Sequence, residues 1–413
     1  MSIAYDVIVI GGGPAGATAA ILLAQAGWRV AAVEKARFPR RKVCGEFISG
    51  TTWPLLRQLG VTETLLPLAG PAVRRVGVFA GRTSVTARLA SPALNADDAG
   101  RAVGREHLDA ALLRRAATAG AEVFQPYALS AFAADGDRYA CAIDDIDRRA
   151  QRTLSAKLVI AAHGSWETGP LPTQDFRRRA RPSDLFGFKA HFREGALPAD
   201  LMPLLAFPGG YGGMVESDDG RLSLSCCIRR DELERCRQRR PGIKAGAAVI
   251  AHISAATAGV ADALAGATLD GACLAAGPLR TGLRTFGSGG IYAVGNAAAE
   301  AHPVVAEGIT MAIQSATLLC MELLARPEVR LDTDHSNGIR DAVRAAYSRA
   351  WRQNFSRRLL VAAAYAQLFI RPMPTHIAVA VLERIPMLLT EGARWSGKSE
   401  PLRQAHGFDV ARS

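Results

Sequence analysis

The stretch YDVIVIGGGPAGATAAILLAQAGWRVAAVE, residues 5–34, constrains this chain more than any other. Residues 5–10 are a short β-branched run, the pattern of a strand buried on both faces in a parallel sheet. Gly11, Gly13 and Gly16 then satisfy G-x-G-x-x-G, a helical stretch follows, Gly27 is placed to stop it, and a second strand ends on Glu34. Each part has a physical task. Gly11 permits the tight turn, Gly13 lets a pyrophosphate approach the backbone, and Gly16 lets helix and strand pack closely. The helix N-terminus, with Pro14 and Ala15, offers free amides and a positive dipole end to phosphates. Glu34 lies 18 residues past the last glycine, where a carboxylate accepts hydrogen bonds from a ribose diol, and Lys35 follows it. Taken in that order, these elements read as a dinucleotide site.

A second signature bears on which dinucleotide. In GGIYAVGNAAAEAHPVVAEGITMAIQSA, residues 289–316, a strand runs into Gly295-Asn296, and His302-Pro303 and Glu307-Gly308-Ile309 open a helix. This resembles the flavin-side motif of the FAD enzymes that include p-hydroxybenzoate hydroxylase, geranylgeranyl reductases and flavin-dependent halogenases. The resemblance implies that the strand end holds the ribityl chain, with Asn296 in place of the usual Asp. It also implies that the helix points its amides and dipole at the flavin. Two further pieces agree. Arg105 opens a stretch like the family's Arg-x-x-Leu-Asp helix, whose arginine reaches the phosphate and ribityl region. AKLVIAAHGSW, residues 156–166, resembles the strand that ends in Asp-Gly, with His163 before Gly164 where the Asp is expected. Leu129 matches the position whose backbone meets adenine. The resemblance runs from residue 1 to about 325.

It also gives a reading for EKARFPRRKVCGEFISG, residues 34–50. Geranylgeranyl reductases carry a pattern like PRRKVCG after the ribose-binding acid, and halogenases and some monooxygenases continue with Gly-Glu. The segment is therefore expected to cross the flavin, with Cys44 and Glu46 near the ring and Arg41 or Lys42 near phosphate. Cys44 is either a reactive group or a small packing residue there. Lys189, in the apolar setting of DLFGFKAHF, either binds a substrate anion or points to solvent. His302 is either a proton donor beside the flavin or a packing residue. Cys44, Glu46, Lys189 and His302 are the catalytic candidates; no general base is fixed.

The resemblance implies an α/β chain with a Rossmann-like FAD-binding domain of the glutathione-reductase type, an inserted antiparallel β substrate domain and a C-terminal helical arm. The FAD-binding domain is expected in three parts, 1–73, 100–180 and 275–330, and the substrate domain in two, 74–99 and 181–274. Residues 331–413 form the helical region. Its bland reading is a lid packed on the FAD domain; the alternative is an amphipathic surface for a membrane or an acidic carrier. The end, from about Trp395, reads as polar and frayed.

Composition adds exclusions. No apolar run reaches the roughly 18 residues that span a bilayer, and the N-terminus lacks the marks of a signal peptide. Seven scattered cysteines fit neither a disulfide framework nor a zinc site, so reduced thiols in a cytoplasmic protein are expected, with no metal. A net charge of +12 calls for an anionic partner. An anionic membrane face, a phosphorylated ligand and an acidic carrier are candidates; nucleic acid is not, for want of a basic helix or aromatic-studded sheet. There is no second G-x-G-x-x-G, so NAD(P)H is expected only as a transient donor, or an external reductant serves instead. The favoured function is a flavin monooxygenase acting through a C4a-hydroperoxyflavin on an aromatic, polyketide-like or lipid-like substrate, free or carrier-bound. The alternative is a reductase saturating C=C bonds of a prenyl or polyene compound. A halogenase ranks lower because no Trp-x-Trp-x-Ile-Pro motif is present and VFAGRTS, near residue 80, has no lysine. A non-catalytic flavin-binding protein is the remaining class.

Overall fold

The computed structural model describes residues 3–89, 98–165, 168–174, 179–331, 336–397 and 402. The Ile3–Ile10 strand sits at the heart of an eight-stranded sheet. Val30–Val33 pairs with it in parallel on one side and Gln151–Ala161 on the other. Parallel pairing continues outward to Glu122–Phe124 and Ile291–Ala293. Val7, Ile8 and Val9 are wholly buried, as expected of a strand with helices on both faces. The Pro14–Gln25 helix packs against the Gly308–Leu324 and Arg105–Thr118 helices. Gly16 makes this closeness possible, since a Cβ there would stand 1.8 Å from the Gly11 carbonyl oxygen. Gly27 lies just past the helix with φ +77°, a conformation that suits glycine.

The second eight-stranded sheet forms the roof over the cavity. Leu185–Arg193, Leu222–Arg229, Gly210–Glu216 and Leu201–Phe207 run antiparallel in that order. Arg75–Ala80 then joins Leu201–Phe207 in parallel. The roof is thus antiparallel except at this one junction, where strands from two separate excursions of the chain meet. Three helices that the alternating sequence pattern did not announce, Arg230–Arg239, Ala245–Ala256 and Ala258–Ala263, belong to the second excursion. Val249, Ile253 and Val260 bury against Phe188, Leu205 and Leu224 of the roof, which closes its outer face.

The arm begins with one long helix, Ser336–Ile370, followed by Pro372–Arg384 and Met387–Trp395. Val343, Tyr347, Trp351 and Phe355 lie in the core of the first sheet. Further along, Ala366, Phe369 and Ile370 bury against Val78, Ala206 and Tyr211 of the roof, together with Val379 of the next helix. A lid on the FAD-type domain therefore describes only the first half of the arm. The second half spans to the roof because its apolar side chains find Gly-rich strands to pack on. Of the tail expected to fray from about Trp395, Trp395 ends the last helix and Ser396 is buried, while residues 398–401 and 403–413 lie outside the described residues.

Candidate functional site

The two sheets and the arm enclose one long cavity of about 700 Å³. At one end Glu34 is 5% exposed, and its two carboxylate oxygens accept the Gly12 and Ala36 amides at 2.8 and 2.7 Å. Those bonds fix the carboxylate at the end of its strand, beside Lys35, Ala128 and Leu129. Next come Gly11, Gly13, Pro14 and Ala15 at the N-terminus of the Pro14–Gln25 helix. A Cβ on Gly13 would meet only Arg105 Nη2, at 3.8 Å, so its open side faces the cavity. Arg105 is buried and held by Asp109 through two bonds of 2.8 and 2.7 Å. Burial opposes its charge, but Asp109 and the Cys44 side chain outweigh burial and leave the guanidinium firmly protonated.

Further along, Gly308 and Ile309 bring a second helix N-terminus to the same space. Asn296 also lines it, its amide donating to Ser165 Oγ at 2.9 Å. Gly164 faces the cavity with φ +87°. His163 is buried, its Nε2 2.9 Å from Thr173 Oγ1, and burial pushes its pKa down to about 4. It is thus a neutral side chain at neutral pH, where the resembling motif has an acid.

Two helix N-termini, a glycine whose Cβ would fill the space between them, and an acid at the far end fit an extended dinucleotide. They fit FAD: bound in the order that the resemblance implies, it would have Gly13 and Arg105 for its phosphates, Glu34 for the ribose, Leu129 for the adenine, Asn296 for the ribityl chain and Gly308–Ile309 for the flavin. Gly16 and Gly295 do not line the cavity. Gly295 packs on Ala15 and donates its N–H to Ser315 Oγ at 2.7 Å, so it shapes the wall from behind. Glu307 is wholly buried at the start of its helix, outside the lining.

Cys44 and Glu46 both line the cavity, so the loop does cross it. Arg41 does not. It turns away to the Asp270 carbonyl oxygen at 2.8 Å and to Glu106 at 3.3 Å, while Arg40 and Lys42 on either side reach the cavity. Alternation along an extended loop gives that result, and the sequence offers no means of choosing its phase. Lys189 is also outside the lining. Its ammonium is 1% exposed and bonds Glu46 Oε2 at 2.7 Å, the Cys44 carbonyl oxygen at 3.0 Å and Ser223 Oγ. His191 donates Nε2 to the same carboxylate at 3.0 Å. Burial would raise the Glu46 pKa, but Lys189 and then His191 hold it well below the usual carboxylate range. The lysine thus clamps the loop to the roof instead of reaching a ligand. His191, two residues on and on the same strand face, completes the clamp; period-two spacing was the signal for it.

His302 lines the cavity between two hydroxyls, Tyr211 at 3.2 Å from Nδ1 and Thr281 at 3.1 Å from Nε2. Burial lowers its pKa, so it stands neutral there. Glu300, absent from the sequence reading, also lines the cavity and is bonded by Arg284 at 2.8 Å. Burial raises its pKa against the pull of Arg284. Past His302 the walls turn apolar, with Val78, Met202, Leu204 and Met214 from the roof and Phe369, Leu382 and Leu389 from the arm. Among the described residues two groups could hold a metal, Glu232/Cys236/His252 and Glu106/His107/Asp218. Their carboxylates are already committed to Arg235 and Arg221. All seven cysteines are free thiols.

Residues 4–175 match the FAD binding domain family. The chain is 37% identical over 132 residues to a tryptophan 2-halogenase of Chondromyces crocatus, 32% of this chain and 24% of that protein. It is 34% identical over 118 residues to menaquinone reductase of Mycobacterium tuberculosis, 29% of this chain and 28% of that one. The chain thus matches about a quarter of the length of these curated relatives. The fold is shared more widely. A myxobacterial chondrochloren halogenase superposes with a TM-score of 0.74 at 20% identity, covering 95% of this chain and 91% of its own. A probable FAD-dependent monooxygenase from Pseudomonas aeruginosa gives 0.68 at 18% identity, covering 90% and 98%.

Proposed function

We propose that this chain, whose residues 4–175 match the FAD binding domain family, is an FAD-dependent monooxygenase acting on a long apolar substrate. The observation that carries the reading is the continuity of one cavity from the Gly13 cradle to an apolar compartment, with neutral His302 and Tyr211 where the two parts join. Bound FAD supplies two-electron redox chemistry and, when reduced, reaction with dioxygen. The chain's own residues then have distinct tasks. Arg105 and the helix N-terminus neutralise phosphate charge. Glu46, clamped by Lys189 and His191, fixes the loop carrying Cys44. Apolar walls orient the substrate and exclude water, which favours productive use of oxygen over its loss as peroxide. The Tyr211 hydroxyl and His302 imidazole can hold a proton at Oη or Nδ1 beside the reacting end. The proposed electron donor is NADPH or NADH, bound transiently, since no second dinucleotide motif is present.

Reduction of C=C bonds is the second reading, and it rests on the Cys44 loop lining the cavity and on the partial likeness to menaquinone reductase. Halogenation has equal support from likeness, through the tryptophan 2-halogenase and the chondrochloren halogenase, and is ranked lower only for want of a Trp-x-Trp-x-Ile-Pro motif and a lysine near residue 80. One experiment separates these outcomes. The FAD-loaded protein is given NADPH, oxygen, chloride and a panel of long apolar aromatic and polyene compounds, and products are read by mass. The proposal expects gain of one oxygen atom with matching oxygen uptake. Gain of two hydrogens without net oxygen uptake supports the second reading, and gain of chlorine overturns both.

A further inference from the structure

The exposed large apolar side chains of the arm form a pattern. Met373, Ile377, Val381 and Ile385 recur every four residues along, and just past, the Pro372–Arg384 helix, and are 72%, 63%, 42% and 51% exposed. That spacing makes one continuous stripe. The opposite face of the same helix is apolar too, with Val379 buried against the roof. A helix apolar on both sides is not satisfied by water on one of them. The next helix extends the patch with Met387, 75% exposed, and Trp395, 56% exposed. Exposed arginines 371, 384 and 394 stand around it; Glu383 is the exposed acid among them, and Glu391 is paired with Arg394.

The patch is continuous with the cavity. Val381 belongs to the stripe and also lines the cavity, so the cavity opens at the stripe.

We propose that this face of the arm seats in the headgroup–acyl boundary of an anionic lipid bilayer, with the cavity mouth turned toward the lipid. The charge selects the occupant. A second copy of a chain carrying +12 is repelled, whereas an anionic bilayer attracts the flanking arginines and accepts the aliphatic stripe. An exposed tryptophan at the edge suits the same boundary. Among the described residues no helix is long and apolar enough to cross a membrane, so contact is in the plane of the interface. Entry of a lipophilic substrate through the mouth rests on the function proposed above; binding of the bilayer does not.

The test uses FAD-loaded protein and flotation with two vesicle types, phosphatidylcholine alone and phosphatidylcholine containing about a third phosphatidylglycerol, at low and high salt. The expected result is binding to the anionic vesicles that weakens with salt. The triple variant Met373→Gln/Ile377→Gln/Ile385→Gln touches no cavity-lining residue and should keep its FAD. Its partition should fall roughly a hundredfold, because three apolar side chains no longer enter the acyl boundary. Wild-type protein that stays with the aqueous fraction in both vesicle types overturns the proposal. So does a triple variant that floats as well as wild type. Stripe-dependent dimers seen by light scattering, without vesicle binding, overturn it in favour of self-association.

Discussion

Replacing Lys189 with methionine should be among the most damaging single changes that touch no ligand. Lys189 and Glu46 are each 1% exposed, and their 2.7 Å contact joins the cavity loop to the roof. Methionine fills similar volume but removes the cation, leaving the Glu46 carboxylate buried with His191 as its remaining partner. Breaking a buried pair from one side costs about 3–5 kcal/mol. Guanidinium unfolding of the FAD-loaded variant, followed by flavin and tryptophan fluorescence, should show a loss of that size. The double variant Glu46→Gln/Lys189→Met should lose less than Lys189→Met alone, because no unpaired charge is then buried. The pH dependence has a definite sign. In the wild type the depressed Glu46 pKa means that its stabilisation is present above the unfolded carboxyl pKa and is lost as pH falls toward the folded value. In Lys189→Met burial dominates and raises the folded pKa, so proton uptake rescues the variant and the gap to wild type narrows as pH is lowered from 7 toward 5. A loss below about 1 kcal/mol, or a double variant with simply additive losses, would refute this account of the clamp.

Other outcomes can be stated briefly. Gly13→Val should fold, since only Arg105 Nη2 lies within 4 Å of the added carbon, yet retain no FAD; unchanged flavin absorbance in the purified variant would refute the cradle. Glu34→Ala should weaken FAD binding by roughly one to two powers of ten, read by fluorescence titration, as charge-assisted hydrogen bonds of about 1.5–3 kcal/mol are lost. His163 has a folded pKa near 4, below the ordinary imidazole value, so the unfolded chain binds its proton first and stability is lost as pH falls between about 6.5 and 4. His163→Asn should remove a share of that acid sensitivity of up to about 3 kcal/mol, measured as a flatter pH profile of unfolding. His302→Gln should keep FAD content but change turnover and its pH profile; an unaltered profile would return His302 to a packing role.

The nucleotide end was legible because each glycine there answers to a local backbone need that no other residue meets. Gly11, Gly13, Gly16 and Glu34 could be placed from spacing alone, and the structure gives Gly11 a positive φ, Gly13 an open side, Gly16 a close helix–strand contact and Glu34 a place in the cavity wall. The loop at 39–46 was legible as a cavity loop but not in phase, so Arg41 was offered as the alternative to Lys42, whereas Arg40 and Lys42 line the cavity. Lys189 was left between a substrate ligand and a solvent-facing residue, and is neither, because a strand position does not reveal what comes down on it from 145 residues away, here the Cys44 carbonyl oxygen. Glu46, which pairs with it, lines the cavity as expected of the loop, but its carboxylate is held by the clamp. The arm was read as helical from its periodicity, yet its second contact surface depends on where the roof strands end, which periodicity does not contain. Glu300 carried a usable signal, an acid two residues before His302 in an otherwise apolar run.

The central claim is that one FAD spans the cavity between the two helix N-termini. Titrating apoprotein with FAD while following flavin fluorescence tests it most directly. Quenching should saturate at one FAD per chain, resist displacement by NADPH, and be absent in a folded Gly13→Val variant. A folded apoprotein that leaves FAD fluorescence unchanged, or that takes NADPH at this site in its place, would contradict it.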